Sequence, residues 1–131
     1  MSLLKYVFAF FIMLNFAMSQ VVWQRSNGPY DGTVFALISM GDNILAGTAY
    51  GGVYVSKDNG INWEQSNSGL SSSAITCFAK GSVNIFAGTQ AGVFRSSDNG
   101  NSWVQVNSGL SALQIKSIAV HPNGSVFVGT D

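Results

Sequence analysis

Cysteine is almost absent from this 131-residue chain: Cys77 is the only one, so no disulfide framework can form within the chain. Charge is scarce as well, with six basic and six acidic residues among the 131. Without a basic excess, no patch can neutralise several phosphates, and we expect no nucleic-acid partner. Helical spacing of apolar residues is missing after residue 20, whereas glycine, serine and asparagine are frequent. The composition therefore favours a turn-rich, all-β domain.

The N-terminal segment has the composition of a secretory signal peptide. Lys5 is followed by an apolar run, YVFAFFIMLNFA, and then by the small residues Ala17 and Ser19 at the third and first positions before a break. The run of 12 residues is shorter than the roughly 20 that a helix needs to span a bilayer. We predict cleavage of residues 1–19, no stable membrane anchor after cleavage, and a secreted, periplasmic or cell-surface protein. An uncleaved N-terminal anchor is the alternative.

The remainder of the chain is an internal repeat with a period of about 40 residues. Its three tryptophans, Trp23, Trp63 and Trp103, are evenly spaced along the sequence. Short motifs recur with them, namely Ala-Gly-Thr at 46–48 and 87–89, Val-Gly-Thr at 128–130, and Asn-Ser-Gly-Leu-Ser at 67–71 and 107–111. Self-similarity at this period indicates an array or a propeller built from one supersecondary unit.

Within each unit the apolar residues follow the period of two that is typical of strands. First strands rich in β-branched and aromatic residues are predicted at 33–39, 74–80 and 114–120. A turn and a second strand ending in Gly-Thr follow each of them, and the first two units continue into a third strand. A hairpin that contains aspartate then leads to a short fourth strand headed by Trp63 or Trp103. Four short antiparallel strands in about 40 residues form one blade of a β-propeller.

The predicted fold class is therefore all-β, a β-propeller with four-stranded antiparallel blades, incomplete and with fewer than three blades. Residues 20–131 are divided into a closing strand and first blade (20–62), a second blade (63–102), and the fourth strand of the second blade with an incomplete third blade (103–131). The closing strand is placed at 21–24. Because propellers need at least four blades, we expect the N-terminal part of a longer protein. A short chain that closes a ring by intermolecular blade pairing is the alternative.

One stretch recurs at the predicted hairpin between the third and fourth strands. It is SKDNGINW at 56–63 and SSDNGNSW at 96–103. The pattern resembles the Asp-box of the BNR-repeat β-propeller family, and the resemblance covers residues 23–131. The matching residues are Ser56, Asp58, Gly60, Trp63, Ser96, Asp98, Gly100 and Trp103. Asn62 departs from the hydroxyl residue that is usual before the tryptophan, whereas Ser102 keeps it.

We predict that both boxes are structural. Aspartate readily accepts hydrogen bonds from backbone amides two residues on, Asn-Gly supplies the positive φ angles of a tight hairpin, and the serine ties the other end of the loop. The tryptophan is expected to pack against the hairpin and the neighbouring blade. A calcium loop needs six to eight oxygen ligands and glycoside hydrolysis needs two facing carboxyl groups, whereas each box offers one carboxylate. We therefore assign no catalytic, cofactor-binding or metal-binding residue and expect no cofactor.

Two further residues have chemistry that a site could use. Cys77 corresponds to Ala36 and Ser117 in the other units, so we expect a buried small residue rather than a reactive thiol. His121 lies in the turn sequence HPNG with no acidic or cysteine partner near it, so we expect an exposed turn residue.

Families that share the box differ in what they do. Sialidase-like propellers are known for an arginine triad with a Tyr/Glu pair, whereas this sequence has only Arg25 and Arg95. Xyloglucanase-like glycosidases have catalytic aspartates outside the box, sortilin-like propellers bind peptides and proteins, and photosystem II assembly factor-like propellers have a similar Trp-punctuated repeat. The overall pattern is similar to that of exported bacterial BNR-repeat proteins. Because the sequence offers no paired catalytic groups within an intact structural repeat, we expect a non-catalytic, exported segment that binds protein or glycan or serves as a scaffold. The alternative is the N-terminal part of a propeller glycosidase with catalytic residues beyond residue 131.

Overall fold

The computed structural model describes residues 23–30 and 32–131, so the predicted signal peptide, residues 1–19, lies outside the described residues. Ten β-strands make up the regular secondary structure of these two ranges. The strands are β1 (Val34–Met40), β2 (Asn43–Thr48), β3 (Val53–Ser56), β4 (Glu64–Gln65), β5 (Ile75–Lys80), β6 (Ile85–Thr89), β7 (Gly92–Ser96), β8 (Val104–Gln105), β9 (Ile115–Val120) and β10 (Val126–Thr130). Within the described ranges, no helix has the length and hydropathy to cross a bilayer.

The strands form two four-stranded antiparallel sheets and one strand pair. Strands β1 to β4 form the first sheet in chain order, β5 to β8 form the second, and β9 pairs with β10. This order confirms the predicted all-β class with four-stranded antiparallel units. The period-two pattern located the strands well, and β1 and β5 each end directly before a glycine.

Strand pairing places each fourth strand in the same sheet as the third strand before it. Strand β4 pairs with β3, with Tyr54 opposite Gln65, and β8 pairs with β7 in the same way. The first sheet therefore extends to Gln65 and the second to Gln105, so residues 103–105 belong to the second sheet, as the predicted fourth strand of the second blade does.

A β-bulge recurs near the start of every first strand. In β1, Val34 lies opposite Thr48 and Ala36 lies opposite Gly47, so Phe35 has no partner in the ladder. The same shift leaves Thr76 unpaired in β5, and an equivalent shift occurs between β9 and β10. Bulges bend a strand and increase its twist, and here they occur at the same point of each unit.

Successive units pack through one repeated contact, in which an isoleucine at the start of a first strand lies on a glycine of the preceding sheet. A β carbon on Gly47 would overlap the side chain of Ile75, and one on Gly88 would overlap that of Ile115. Both isoleucines are fully buried, with 0% and 1% of their surface exposed. The recurring Gly-Thr motif therefore keeps a glycine where the next unit needs space.

The apolar core fills the space between the first and second sheets. Its buried members include Leu45, Val53, Ile85 and Phe94, none of them more than 1% exposed. Burying a side chain of this size contributes about 1.5–3 kcal/mol, so this interface supplies much of the stabilisation. Packing between sheets therefore holds neighbouring units together.

Only part of the predicted closing strand, residues 21–24, lies within the described residues. Residues 21 and 22 lie outside the described residues, and no strand is assigned within Trp23–Tyr30. The closing role of residues 21–24 stays a prediction.

A test of the contact between units is Gly88→Ala. Its β carbon would meet the Cys77 sulfur and the Ile115 side chain, so we expect the free energy of unfolding to fall by about 1–3 kcal/mol. Urea denaturation measures this change. Gly81→Ala is the matched control, because a β carbon there has ordinary contacts at 3.5 Å or more. It should be neutral or stabilising by up to about 1 kcal/mol. Equal losses in the two variants would contradict the packing argument.

Candidate functional site

The candidate site consists of the two loops 56–63 and 96–103, each of which joins a third strand to a fourth strand. In the second loop, the buried Ser96 donates its hydroxyl hydrogen to Asp98 Oδ1 at 2.7 Å and accepts the Gly100 N–H at 2.8 Å. In the first loop, Ser56 makes the same two bonds, with distances of 2.9 and 2.8 Å. The serine at the end of the third strand therefore closes the loop from inside.

The aspartate of each loop bonds across the turn. Asp98 accepts the Ser102 backbone N–H at 2.9 Å on Oδ1 and the Ser102 hydroxyl at 2.5 Å on Oδ2. The expected partner was the amide two residues on, but the observed partner lies four residues on. The reason is that this loop is longer than a two-residue Asx turn, so the Asp98 carboxylate bonds to a residue on the far side of the loop.

The first loop makes the equivalent bonds with a different residue. Asp58 accepts the Asn62 backbone N–H at 2.8 Å on Oδ1 and the Asn62 side-chain amide at 2.7 Å on Oδ2. Asn62 therefore supplies the donor that Ser102 supplies in the second loop. The departure from the hydroxyl residue leaves the hydrogen-bond pattern of the loop unchanged.

Each loop turns through an Asn-Gly pair with positive φ angles, as the sequence predicts. Asn59 and Asn99 both have φ of 58°, and Gly60 and Gly100 have φ of 84° and 88°. Asparagine tolerates this left-handed region better than most residues, and glycine occupies it without strain. The dipeptide is thus required by the backbone path of the turn.

The pKa of both aspartates is lowered. For Asp58, the hydrogen bonds from the backbone and side chain of Asn62 stabilise the charged form and lower the pKa. For Asp98, burial acts to raise the pKa, but the bonds from Ser102 and Ser96 together outweigh it. A general acid needs a raised pKa, so this direction suits a permanently charged acceptor within a loop.

The two tryptophans lie in different surroundings. Trp103 is 3% exposed, stacks on Phe78 with ring centroids 6.3 Å apart, and donates its indole N–H to the Ser66 carbonyl of the first unit at 3.0 Å. Trp63 is only half-buried and donates to Gly60 of its own loop at 3.1 Å. The expected packing against a neighbouring unit is therefore seen for Trp103.

The second loop is also part of the interface between the two sheets. A β carbon on Gly100 would overlap the Leu45 side chain of the first sheet. The Ser66 hydroxyl donates to the Gly100 carbonyl at 2.5 Å, and the Trp103 N–H donates to the Ser68 carbonyl at 2.9 Å. This loop thus connects its own hairpin to the preceding unit.

Sequence reasoning assigned no role to two other recurring polar residues, the asparagine of Asn-Ser-Gly-Leu-Ser and the threonine of Gly-Thr. Asn107 accepts the Val93 N–H at 2.8 Å and donates to the Ala91 carbonyl at 3.1 Å, which fixes the start of the third strand. Thr89 is fully buried and bonds to both ends of the turn between the second and third strands. Their recurrence at equivalent positions was the signal that could have identified them.

The cysteine and the histidine lie apart from the two loops. Cys77 is half-buried rather than fully buried, and it lies opposite Gly88 in the ladder between β5 and β6. His121 is exposed in the turn before β10, as predicted, and its Nδ1 accepts the Asn123 N–H at 3.2 Å. In the described ranges, no group of three or more His, Cys, Asp or Glu residues is arranged to hold a metal ion.

Comparison with known proteins identifies the fold class. No family model and no curated protein sequence matches the chain. The extracellular domain of a protein assigned as a one-component system from B. thetaiotaomicron superposes with a TM-score of 0.59 at 16% identity, over 74% of this chain and 13% of that chain. An ancestral GH74 enzyme superposes with a TM-score of 0.58 at 26% identity, over 78% of this chain and 14% of that chain.

Both of these structures are β-propellers, and the chain matches only a small part of the length of each. Together with the two four-stranded sheets and the repeated contact between units, the likeness defines the chain as part of a β-propeller. Each sheet is one blade, and β9 with β10 forms the inner half of a third.

A first test of the loops is Ser96→Ala. The substitution leaves the buried Gly100 N–H without its acceptor and removes a donor to Asp98, so the free energy of unfolding should fall by about 1–3 kcal/mol. Ser97→Ala is the matched control, because Ser97 is exposed. This substitution should change the free energy of unfolding by less than about 0.5 kcal/mol. Chemical denaturation of both variants measures the difference. A loss no larger for Ser96→Ala than for Ser97→Ala would rule out the bracing role of the buried hydroxyl.

A second test is the pH dependence of stability. Because the folded-state pKa of Asp58 and Asp98 is lowered, their contribution is present above the unfolded value of about 3.9 and is lost as the pH falls through the lower folded value. The double variant Asp58→Asn and Asp98→Asn should therefore lose stability relative to the native chain near neutral pH. The difference should shrink below about pH 4. Urea midpoints across this range measure it, with Asp42→Asn in an exposed turn as control. A difference that does not vary with pH would contradict this assignment.

Proposed function

We propose that the chain is an exported, non-catalytic β-propeller segment that serves as a binding or scaffold module for protein or glycan. Loops 56–63 and 96–103 are proposed to be Asp-boxes with a structural role. Export is proposed from the signal-peptide composition of residues 1–19, and the extracellular origin of one structural neighbour agrees with it.

The observation that carries the proposal is the repeated use of both box carboxylates within their own loops. Asp58 and Asp98 each accept a backbone N–H four residues on and a side-chain donor from the same residue. Two equivalent carboxylates with the same role in successive blades favour a structural function that stabilises the fold. Catalysis by a carboxylate pair needs different groups that face one another across a substrate.

A second candidate is the N-terminal part of a propeller glycosidase. It is favoured by the ancestral GH74 enzyme, which is 26% identical over 78% of this chain. Under this proposal, the described blades would help to shape a glycan-binding surface, and the catalytic carboxylates would lie in blades beyond residue 131.

The test is binding of the chain to an array of glycans and to a panel of extracellular proteins, with release of reducing sugar measured on each glycan that binds. We expect binding without hydrolysis, because the box carboxylates are engaged within their loops. Asp58→Asn should bind as the native chain does, since an asparagine at this exposed loop keeps an acceptor for Asn62.

Three results would decide against parts of this proposal. Release of sugar that Asp58→Asn or Asp98→Asn abolishes, while the folded state persists, would contradict a structural role for the boxes. Release that both variants retain would contradict a non-catalytic segment. Binding to none of the glycans or proteins would contradict the binding role and leave the scaffold role as the proposed function.

A further inference from the structure

We propose that Asn123 is a site of spontaneous deamidation, and that the two box serines, Ser56 and Ser96, protect the Asn-Gly pairs of their own loops from the same reaction. Asparagine is a thermolabile residue, and a following glycine favours the reaction because it has no side chain to hinder it. The Asn-Gly pairs in turns between consecutive strands of one blade are 59–60, 99–100 and 123–124. A fourth pair, at 27–28, lies before the first strand.

Deamidation of an Asn-Gly pair needs only the chain and water. The backbone nitrogen of the glycine loses its proton and attacks the asparagine Cγ. The new N–Cγ bond closes a succinimide ring, while the Cγ–Nδ2 bond breaks and ammonia leaves. Water then opens the ring at one of its two carbonyls and yields aspartate or isoaspartate. The surroundings of the glycine N–H therefore control the rate.

Both box loops hold this N–H in a buried hydrogen bond. Gly60 donates to Ser56 Oγ and Gly100 donates to Ser96 Oγ, each at 2.8 Å. Both glycines are buried, although the asparagines before them are exposed to water. A buried donor without its acceptor is costly, so the nitrogen can attack only after the loop has opened. The serine hydroxyl therefore keeps the nucleophile of the reaction engaged.

Reaction within a box loop would disrupt the loop itself. Isoaspartate adds a methylene group to the main chain, and the asparagine of each loop lies in the left-handed region with φ of 58°. In the second loop, Asp98 accepts the Ser102 N–H at 2.9 Å across the segment that contains Asn99. A longer main chain would separate these two groups. The hydroxyl thus has a chemical role in addition to its structural one.

Asn123 has different surroundings, because both it and Gly124 are exposed. The Gly124 N–H donates to the His121 carbonyl at 2.9 Å, but this bond lies in an exposed turn that opens at low free energy. Asn123 Oδ1 accepts the Ser125 N–H at 2.9 Å. This bond polarises the amide carbonyl and stabilises the negative charge that forms on its oxygen during attack. Asn123 is therefore both accessible and activated.

The turn that contains Asn123 is of a kind that stays exposed beside a complete blade. The equivalent turn of the first blade, residues 41–42, is exposed although the four-stranded second blade follows it. The turn between Val120 and Val126 is longer than the turn between Met40 and Asn43, so it projects further from its strands. A following blade would therefore leave Asn123 in contact with water.

The experiment incubates the full chain at mildly alkaline pH and measures conversion of amide to acid at each pair by peptide mass spectrometry. Cleavage after lysine and arginine places the three turn pairs on separate peptides. Asn123 should convert first, and Asn59 and Asn99 should be slower by about tenfold or more, the factor that corresponds to one buried hydrogen bond. Conversion of either box asparagine as fast as Asn123 would overturn the proposal.

Two variants separate protection by the hydroxyl from the general stability of the loop. Ser96→Ala should speed the conversion of Asn99 by about tenfold and leave Asn59 unchanged, because Ser56 is intact in the same chain. Ser102→Ala is the matched control: it removes a donor to Asp98 but keeps the bond between Ser96 and Gly100, so Asn99 should stay protected.

The outcomes that contradict the protective role follow from these controls. Equal acceleration of Asn59 and Asn99 in Ser96→Ala would show that unfolding of the whole chain is responsible. Equal acceleration of Asn99 by Ser96→Ala and Ser102→Ala would show that any loosening of the loop suffices. An unchanged rate at Asn99 in Ser96→Ala would overturn the proposal as well.

Discussion

The contact between a first-strand isoleucine and a second-strand glycine determines how the blades of this chain fit together. A blade of short strands cannot bury both of its faces alone, so it depends on its neighbours for a core. Glycine in the second strand lets the next blade approach to van der Waals distance, and the isoleucine fills the space. Gly47 with Ile75 and Gly88 with Ile115 show that the device is used twice with the same residue types. Because glycine weakens a strand interior, its presence here marks a close approach of this kind.

The box loops stabilise a different part of the blade. Ser96 and Asp98 satisfy the backbone groups of a turn that lies away from the innermost strand, and the same loop contacts the preceding blade through Gly100 and Trp103. In the second loop, local closure and contact between blades are thereby combined in eight residues. The first loop shares the local closure through Ser56 and Asp58.

Most of the fold was accessible from the sequence because its signals are local and repeated. Period-two apolar residues gave the strands, and the Asn-Gly pairs gave the hairpins with their positive φ angles. The partner of each box aspartate was misjudged, since a residue four positions on is reached only when the length of the loop is known. The role of Gly47 could not be predicted either, because its partner Ile75 belongs to another blade and no local pattern connects the two. Ligand-binding residues cannot be predicted from these repeated signals, because a binding site does not require the same residue in every repeat.

The stacking of blades also sets an order of opening along the chain. The second sheet is covered by β1 and β2 on one side and by β9 on the other, whereas each flanking unit is covered on one side only among the described residues. In a structure that is stable through nearest-neighbour contacts, the outer units open at lower free energy than the unit between them. Among the described strands, β6 and β7 should therefore have the slowest amide exchange.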